Sequence, residues 1–264
     1  MCGIAGYSLS DSSRVDPTLA TQILMAAISE RGSDAAGYCY RGPGVALAIH
    51  KQRSGASRLL DSIRVPSKAR QALVHVRDYT KGHPTIAANN HPVRHGPVTG
   101  VHNGIIANDE ELFARHGIER DDPDMSVDSE IIFALVESRG TSPDVLEELV
   151  GAMAAAWIDE RRPDVLHVAR GIGRPLWIAR GRHEVLFAST RAALEVAERA
   201  LRTTFRKTEV EEGRLLALED GTLVEERRFA PDRSYREESE LPAVRAPHEG
   251  RFCLERLAAL TTPA

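Results

Sequence analysis

The sequence predicts an α+β fold with a substantial antiparallel component. Helical periodicity alternates with several short apolar runs that have the length and composition of strands. Two dipeptides that favour tight turns, Asn103-Gly104 and Asp220-Gly221, lie among these runs. This order of helices and short strands implies sheets that are largely antiparallel and covered by helices.

The first half of the chain begins with a predicted helix over Asp16–Glu30, where an Asp-Pro start precedes an apolar stripe of helical spacing. Short buried strands are predicted over Gly44–His50 and Ala72–Arg77. Pro97–Ile106 is predicted as a strand pair or a turn centred on Asn103-Gly104.

The second half contains two predicted helices followed by a strand-rich region. The helices cover Ser126–Ser138 and Pro143–Ile158, the second with Ser142 as its cap. The later elements are strands at 164–170, 174–180 and 184–189, a helix at 190–201, and a hairpin at 215–226 that turns at Asp220-Gly221. Prolines, charges and weak periodicity from about Ala230 onward predict a tail.

The composition is that of an ordinary globular protein. The chain has 264 residues, of which 42% are hydrophobic and 27% are charged, with a formal net charge of −4. Since both signs of charge are interspersed, no basic surface for nucleic acid and no polybasic segment for a membrane is expected. No apolar run has the length of a membrane-spanning helix. Three cysteines with no paired spacing argue against a disulfide scaffold, so a cytoplasmic location is expected.

Cys2 is the residue with the clearest chemical potential, because it follows the initiator methionine. Removal of Met1 would leave a thiol and a free α-amine on one residue, and that amine titrates near 7.7–8.0. The amine can then accept the proton of its own thiol, directly or through one water. The pattern predicts a nucleophile for acyl transfer; the alternative is an incidental cysteine.

Three further segments contain residues suited to the same chemistry. Asn103 and Gly104 can donate hydrogen bonds to a developing oxyanion, although Asn-Gly is also a common turn. Arg77, at a predicted strand end, suits a carboxylate ligand or a surface ion pair. Asp128, at a predicted helix start, suits an ammonium ligand or a helix cap.

Taken together, the segments resemble the class II glutamine amidotransferase domain, whose members use an N-terminal nucleophile. The resemblance covers residues 1 to about 230, and the matching runs are MCGIAGY, ISERGSDAAG, HVRDYTKG, NNHPV, VHNGIIAN and VDSEI, in the order of the family. It implies a four-layer αββα sandwich over 1–230 and a C-terminal tail or extension over 231–264 that holds no synthase domain.

The resemblance also implies a role for each matching residue. Cys2 would form a γ-glutamyl thioester from glutamine, with Asn103 and Gly104 as the oxyanion hole. Arg77, with Thr80 nearby, would bind the α-carboxylate of glutamine, and Asp128 its α-ammonium. The catalytic assignment is therefore Cys2, Asn103 and Gly104; the substrate-binding assignment is Arg77, Thr80 and Asp128; and Arg31 is a supporting residue beside the nucleophile. No cofactor and no metal are implied.

One position departs from the family pattern. The family usually has an aromatic residue directly after the substrate arginine, and here that residue is Asp78. A carboxylate at this position would compete for Arg77 and weaken glutamine binding, unless the backbone rather than the side chain faces the substrate.

The expected products are glutamate and ammonia. Since only about 34 residues follow the domain, a separate synthase subunit is expected to receive the ammonia, and whether the chain forms a homo-oligomer is left open. Two alternatives stay open: an amidohydrolase of the same fold that acts on another γ-glutamyl or related amide, and a catalytically silent regulatory subunit.

The remaining cysteines and histidines receive no catalytic role. Cys39 is predicted to lie in the core, whereas Cys253 lies in the tail and is open to exposure. The histidines at 75, 83, 91, 95 and 102 are predicted as ordinary loop and strand residues, because Pro92 interrupts the helical spacing and no acidic cluster joins them.

Overall fold

The structure is a computed structural model that describes residues 2–237 and 242–261. Its strands are β1 (Gly3–Leu9), β2 (Ala35–Gly42), β3 (Val45–Gln52), β4 (Gln71–Arg77), β5 (Val93–His95), β6 (Val98–Ile106), β7 (Gly151–Asp159), β8 (Val165–Arg170), β9 (Trp177–Arg180), β10 (Glu184–Ala188), β11 (Arg206–Glu209), β12 (Arg214–Glu219) and β13 (Thr222–Arg228). Its α-helices are α1 (Pro17–Ile28), α2 (Asp109–His116), α3 (Glu130–Arg139), α4 (Pro143–Glu147), α5 (Arg191–Leu201) and α6 (Pro247–Thr261). Short 3₁₀ turns cover Ser29–Arg31, Ala56–Arg58, Leu60–Ser62 and Ala87–Asn89.

The strands form two antiparallel sheets. The first has seven strands in the order β11-β9-β10-β1-β4-β2-β3, and the second has six in the order β13-β12-β8-β7-β6-β5. In the first sheet, β1 pairs with both β10 and β4, which makes the N-terminal strand a central one. In the second sheet, β6 is paired on both sides by β5 and β7.

Three apolar clusters define four layers. One cluster packs α1, α5 and α6 on the outer face of the first sheet, and a second packs α3 and α4 on the outer face of the second sheet. The third lies between the sheets, where Ile4 and Leu73 of the first pack with Val101 and Ile158 of the second. Alternation of side chains along each strand directs successive residues into different clusters. The expected αββα sandwich with antiparallel sheets is confirmed.

Several sequence-based elements are confirmed with small shifts at their ends. They include α1, α5, the strands β4, β8, β9 and β10, and the β12–β13 hairpin, whose turn contains Asp220 with a positive φ of 46°. Strand β3 also forms where predicted, but it lies at the edge of its sheet and none of its residues is buried, so the expected burial is wrong. Cys39 lies in β2 and is fully buried, as expected.

The predicted helix over Pro143–Ile158 is wrong in its second half. Helix α4 ends at Glu147, and Gly151–Asp159 form strand β7, in which every residue is buried. Ala154, Ala156 and Ile158 face the other sheet, whereas Ala155 and Trp157 face the helices. A central strand that is apolar on both faces lacks the alternation that marks a strand in sequence, and its alanines favour a helix.

The turn predicted at Asn103-Gly104 is also wrong. Both residues lie within the continuous strand β6, where Asn103 is opposite Ala154 and Gly104 is opposite Met153. The reversal before β6 falls instead at Gly96, which has a φ of +53°. Helix α3 begins at Glu130, a few residues after the predicted start at Ser126.

The tail expected from about Ala230 includes an ordered helix. Helix α6 packs against α1, and Cys253 and Leu257 belong to the same apolar cluster as Ile23 and Leu24. Cys253 is fully buried, so the expectation that it is open to exposure is wrong. Among the described residues, no helix combines the length and hydropathy needed to cross a bilayer.

Candidate active site

Cys2 lies immediately before β1 and is half-buried. Its Sγ donates to the carbonyl oxygen of Asp78 at 3.5 Å, and its own carbonyl accepts from Nε of Arg31 at 2.9 Å. Because β1 is central in its sheet, these contacts hold the thiol at the end of a rigid strand. Met1 lies outside the described residues, and its removal would free the α-amine of Cys2.

The environment of Cys2 favours a protonated thiol at rest. Burial raises the pKa of the Cys2 thiol, and the guanidinium of Arg77 opposes that effect. A base is therefore needed to generate the thiolate at neutral pH.

Arg31 is 1% exposed and packs beside the nucleophile. A Cβ on Gly3 would lie 2.9 Å from Val76 Cγ2 and 3.1 Å from Arg31 Cδ. The lack of a side chain at position 3 therefore leaves room for the side chain of Arg31. Arg31 contacts the backbone of Cys2 through the hydrogen bond from its Nε to the Cys2 carbonyl.

Arg77 ends β4 and is 2% exposed. Its guanidinium donates to Asn90 Oδ1 at 2.6 Å, to the carbonyl of Lys81 at 2.8 Å and to the carbonyl of Gly82. These bonds use three of the five N–H groups of an arginine. The side chain that is expected to bind the substrate therefore also shapes the loop that follows β4.

Asn103 and Gly104 lie side by side on β6 near the same end of the sandwich. Asn103 is fully buried, and among the described residues neither its Oδ1 nor its Nδ2 has a hydrogen-bond partner. Desolvation of such an amide is not compensated by a hydrogen bond, which is typical of a group that awaits a ligand. Gly104 has a φ of +152°, and a Cβ there would lie 1.8 Å from the carbonyl oxygen of Ala152, so only glycine fits.

Asp128 precedes α3 and is 3% exposed. Its Oδ2 accepts from the backbone N–H of Ile106 at 2.7 Å. Burial raises the pKa of the Asp128 carboxyl to about 6, and the nearby charge of Asp109 adds to the effect. The carboxylate is therefore mostly ionised at neutral pH and poorly compensated, which suits it to a cationic ligand.

These residues meet at one narrow cavity between the ends of the two sheets. The residues that line it are Cys2, Arg77, Tyr79, Thr80, Lys81, His91, His102, Gly104, Val127, Asp128 and Ser129. Five of the seven predicted residues are among them, and the other two lie next to lining residues: Asn103 is adjacent to Gly104, and Arg31 contacts Cys2. Three larger cavities lie elsewhere in the described part of the chain, and none of them is lined by a cysteine.

Two buried histidines, His91 and His102, line this cavity, although the sequence does not predict them as site residues. His102 Nδ1 lies 2.8 Å from Ser129 Oγ, and the ring of His91 stacks on His75 with centroids 4.1 Å apart. Burial lowers the pKa of His102 and of His75 to about 3 and the pKa of His91 well below its usual range, so all three are neutral. In the sequence, these residues are indicated by the high density of histidines between residues 75 and 102. Within residues 2–237 and 242–261, no group of side chains is arranged to hold a metal ion.

The carboxylate of Asp78, the residue that departs from the family pattern, is paired outside the cavity. Its Oδ2 accepts from Nε of Arg245 at 2.9 Å, whereas its backbone carbonyl faces Cys2. Of the two possibilities raised by the sequence, this arrangement favours a backbone that faces the thiol and a side chain that turns away.

The chain is similar to known proteins over much of its length. The family described as "Glutamine amidotransferase domain" matches residues 75–196. The glutamine–fructose-6-phosphate aminotransferase (isomerizing) of Bradyrhizobium diazoefficiens is 33% identical over 205 residues, which cover 74% of this chain and 32% of that protein. The enzyme of the same name from Zymomonas mobilis is 34% identical over 182 residues, which cover 62% of this chain and 28% of that protein. The chain thus spans about a third of the length of these curated relatives.

Solved structures share the fold. The glutamine phosphoribosylpyrophosphate amidotransferase from B. subtilis, complexed with ADP and GMP, superposes with a TM-score of 0.70 at 23% identity, covering 88% of this chain and 50% of that one. A second structure, described as the allosteric regulatory enzyme of purine biosynthesis, gives a TM-score of 0.66 at 22% identity, with the same coverage. The chain therefore carries a glutamine amidotransferase domain of the class II, N-terminal-nucleophile type.

Proposed function

We propose that this chain hydrolyses the side-chain amide of glutamine through a γ-glutamyl thioester on Cys2. The observation that carries the proposal is the convergence of Cys2, Arg77, Gly104 and Asp128 on one cavity. A buried cation and a buried anion in the same cavity suit the zwitterionic end of a free amino acid. That end would be held by Arg77 and Asp128, with Thr80 in the adjoining loop, so that the carboxamide lies over the thiol.

The reaction requires that Met1 be removed from the mature chain. The α-amine of Cys2 then accepts the thiol proton while Sγ attacks the amide carbon of glutamine. The resulting oxyanion receives hydrogen bonds from the Asn103 amide and the Gly104 N–H. The protonated amine returns its proton to the leaving nitrogen, the C–N bond breaks, and ammonia departs. Water then hydrolyses the thioester to glutamate and regenerates the thiol.

The unpaired amide of Asn103 supports the oxyanion role. In the resting site its Nδ2 has no partner among the described residues, so no protein hydrogen bond must break before it binds the intermediate. Donors that are already in position need little reorganisation when charge develops.

We further propose that a synthase on a separate chain receives the ammonia. The relatives named above are glutamine–fructose-6-phosphate aminotransferases, so an acceptor for the nitrogen of glutamine is expected. If the proposal is correct, addition of the cognate synthase and its acceptor will couple glutamine hydrolysis to amination. Free ammonia will then fall below the glutamate that is formed. Equal release of ammonia and glutamate in the presence of a competent synthase would contradict coupling.

The central proposal is tested with a glutamine-analogue electrophile such as 6-diazo-5-oxo-norleucine. Intact mass should show one adduct, and peptide mapping should place it on an N-terminal peptide that begins with Cys2. Cys2→Ala should abolish both the adduct and ammonia release and leave the far-ultraviolet circular dichroism unchanged. Near wild-type activity of this variant would exclude Cys2 as the nucleophile.

A second candidate is an amidohydrolase that acts on another γ-glutamyl or related amide, and Asp78 is the observation that favours it. The aromatic residue usual in the family is replaced here by a carboxylate that is paired with Arg245. Comparison of kcat/KM for glutamine with that for γ-glutamyl amides of small amines separates the candidates. If glutamine is the substrate but the loop is altered, Asp78→Tyr should lower KM for glutamine. A KM that is unchanged by this substitution would show that Asp78 is neutral.

A further inference from the structure

The C-terminal segment 242–261 is attached directly to the segment that supports the nucleophile. The backbone N–H groups of Arg245 and Ala246 both donate to the carbonyl of Glu30, at 2.9 and 2.8 Å. A Cβ on Gly250 would lie 2.6 Å from Glu30 Cβ, so α6 approaches this turn closely. Further along, Cys253 and Leu257 are buried in the core. The segment is therefore an integral part of the fold.

The turn to which the segment attaches leads to Cys2. Glu30 is followed by Arg31, whose Nε holds the carbonyl of Cys2 at 2.9 Å. The next residue, Gly32, is closely packed on the end of β4, because a Cβ there would lie 2.4 Å from the carbonyl oxygen of Arg77. The turn, the nucleophile and the substrate arginine thus form one continuous set of contacts.

Asp78 provides a second connection between the C-terminal segment and these contacts around Cys2. Its carboxylate accepts from Arg245 Nε at 2.9 Å, and its carbonyl accepts from the Cys2 thiol at 3.5 Å. The following residue is fixed from the other side, since the N–H of Tyr79 donates to Asp34 Oδ2 at 3.0 Å. A change in the position of the Asp78 side chain therefore moves a carbonyl that touches the reacting atom.

We propose that Arg245 is a positioning residue that acts through Asp78 to place the Cys2 thiol. The proposal rests on the glutaminase function proposed above. The ion pair is partly exposed, with side-chain accessibilities of 39% for Arg245 and 20% for Asp78. Pairs of this kind contribute little to stability, so the effect of losing it is expected in catalysis rather than in folding.

The chain supplies a matched control. Arg256, in the same segment, forms an ion pair with Asp61, with Nε to Oδ2 at 2.9 Å. This pair also joins the C-terminal segment to the rest of the fold, but neither residue lines the site cavity. Comparison of Arg245→Ala with Arg256→Ala thus separates positioning of Asp78 from general docking of the helix.

The experiment measures glutaminase kinetics and thermal unfolding of the full chain. Arg245→Ala should lower kcat about tenfold and change KM less than about twofold, since the contact reaches the thiol and a small misplacement of a reacting group is costly. Tm should shift by less than about 3 °C. Arg245→Lys should recover most of kcat, and Arg256→Ala should match the wild type in kcat.

Wild-type kinetics for Arg245→Ala would overturn the proposal, and so would an equal loss of kcat in Arg256→Ala. Failure of the proposed function is distinguishable, because it would appear as an inactive wild type that the glutamine analogue does not label. In that case the alkylation rate of Cys2 by iodoacetamide, followed by peptide mapping, still tests the positioning. The rate should rise in Arg245→Ala but not in Arg256→Ala, and an unchanged rate would exclude the role of Arg245.

Discussion

Asp128 accepts a hydrogen bond from the backbone N–H of Ile106 at 2.7 Å, and this bond ties the start of α3 to the end of β6. The strand that contains Asn103 and Gly104 is thereby joined to the carboxylate proposed to bind the ammonium group. The burial of this carboxylate is only partly offset, since the pKa of Asp128 is raised to about 6.

Because the pKa of Asp128 is raised, replacement of this residue by asparagine is predicted to stabilise the fold at neutral pH and to weaken glutamine binding. The folded chain holds the Asp128 proton more tightly than the unfolded chain does, so the contribution to stability is present below pH 4 and is lost as the pH rises through about 6. Asp128→Asn should therefore stabilise the fold at pH 7, by up to about 3 kcal/mol, the free energy that corresponds to a pKa raised from 3.8 to about 6. The same substitution should raise KM for glutamine at least about tenfold, because the ammonium group loses its charged partner.

Urea unfolding and glutaminase kinetics between pH 5 and 8 test this prediction. In the wild type kcat/KM should fall below an apparent pKa near 6, and in Asp128→Asn that limb should be absent. A variant that is less stable at pH 7 and binds glutamine normally would contradict both parts.

Asn103→Ala should separate activity from stability. The substitution removes a donor proposed for the oxyanion, and loss of one such donor costs about 10²–10³ in kcat in a well-studied hydrolase. It also removes a buried amide whose polar atoms have no partner among the described residues, so the desolvation cost disappears with it. We expect a stability within about 1 kcal/mol of the wild type once the small cavity is included. A variant that loses activity only because it unfolds would argue against the oxyanion role.

Gly104→Ala should disturb the site by a steric route. The methyl group would lie 1.8 Å from the carbonyl oxygen of Ala152, and the backbone φ of +152° is also unfavourable for alanine. The strand must shift, so a loss of stability of about 2–4 kcal/mol is expected together with a loss of activity.

Gly140→Ala is the control for backbone strain alone. Gly140 has a φ of +81°, and no atom of the described residues lies within 4 Å of the place that a Cβ would take. The variant therefore bears the strain of the dihedral but meets no clash. We expect it to lose about 1 kcal/mol and to keep its activity. Equal effects of the two substitutions on kcat would show that the close contact with Ala152 is unimportant.

The candidate site residues could be identified from sequence motifs more readily than the strands that position them could be predicted. Cys2, Arg77, Gly104 and Asp128 line one cavity. Of these, Arg77 and Asp128 lie at the ends of elements that the sequence pattern predicts, β4 and α3. The misassigned elements are β6 and β7, two adjacent strands buried on both faces. In such strands the periodicity that distinguishes a strand from a helix is lost. The Asn103-Gly104 pair, a dipeptide that is usually a turn, is instead held within β6 by its pairing with Met153 and Ala154 of β7.

The role of the C-terminal segment could not be inferred from local pattern. Arg245 and Asp78 are 167 residues apart in the chain, and nothing in either segment indicates the other. The burial of Cys253 likewise depends on where α6 docks against α1. Contacts of this kind are tertiary, and a single sequence carries no periodic signal for them.

A blocked N-terminus should abolish catalysis without removing the thiol. If the α-amine of Cys2 is the base, any residue attached to it converts the amine to an amide nitrogen that cannot accept a proton. A chain with a cleavable N-terminal extension that ends directly before Cys2 should lose about 10²–10⁴ in kcat, the usual contribution of a general base. Proteolytic removal of the extension should restore the rate, and the pH profile should then rise with an apparent pKa near 7.7–8.0.

Since burial raises the thiol pKa, spontaneous ionisation cannot replace the base at neutral pH. Alkylation by iodoacetamide checks that the thiol is reachable in both forms, and full activity of the extended chain would require another base for the thiol.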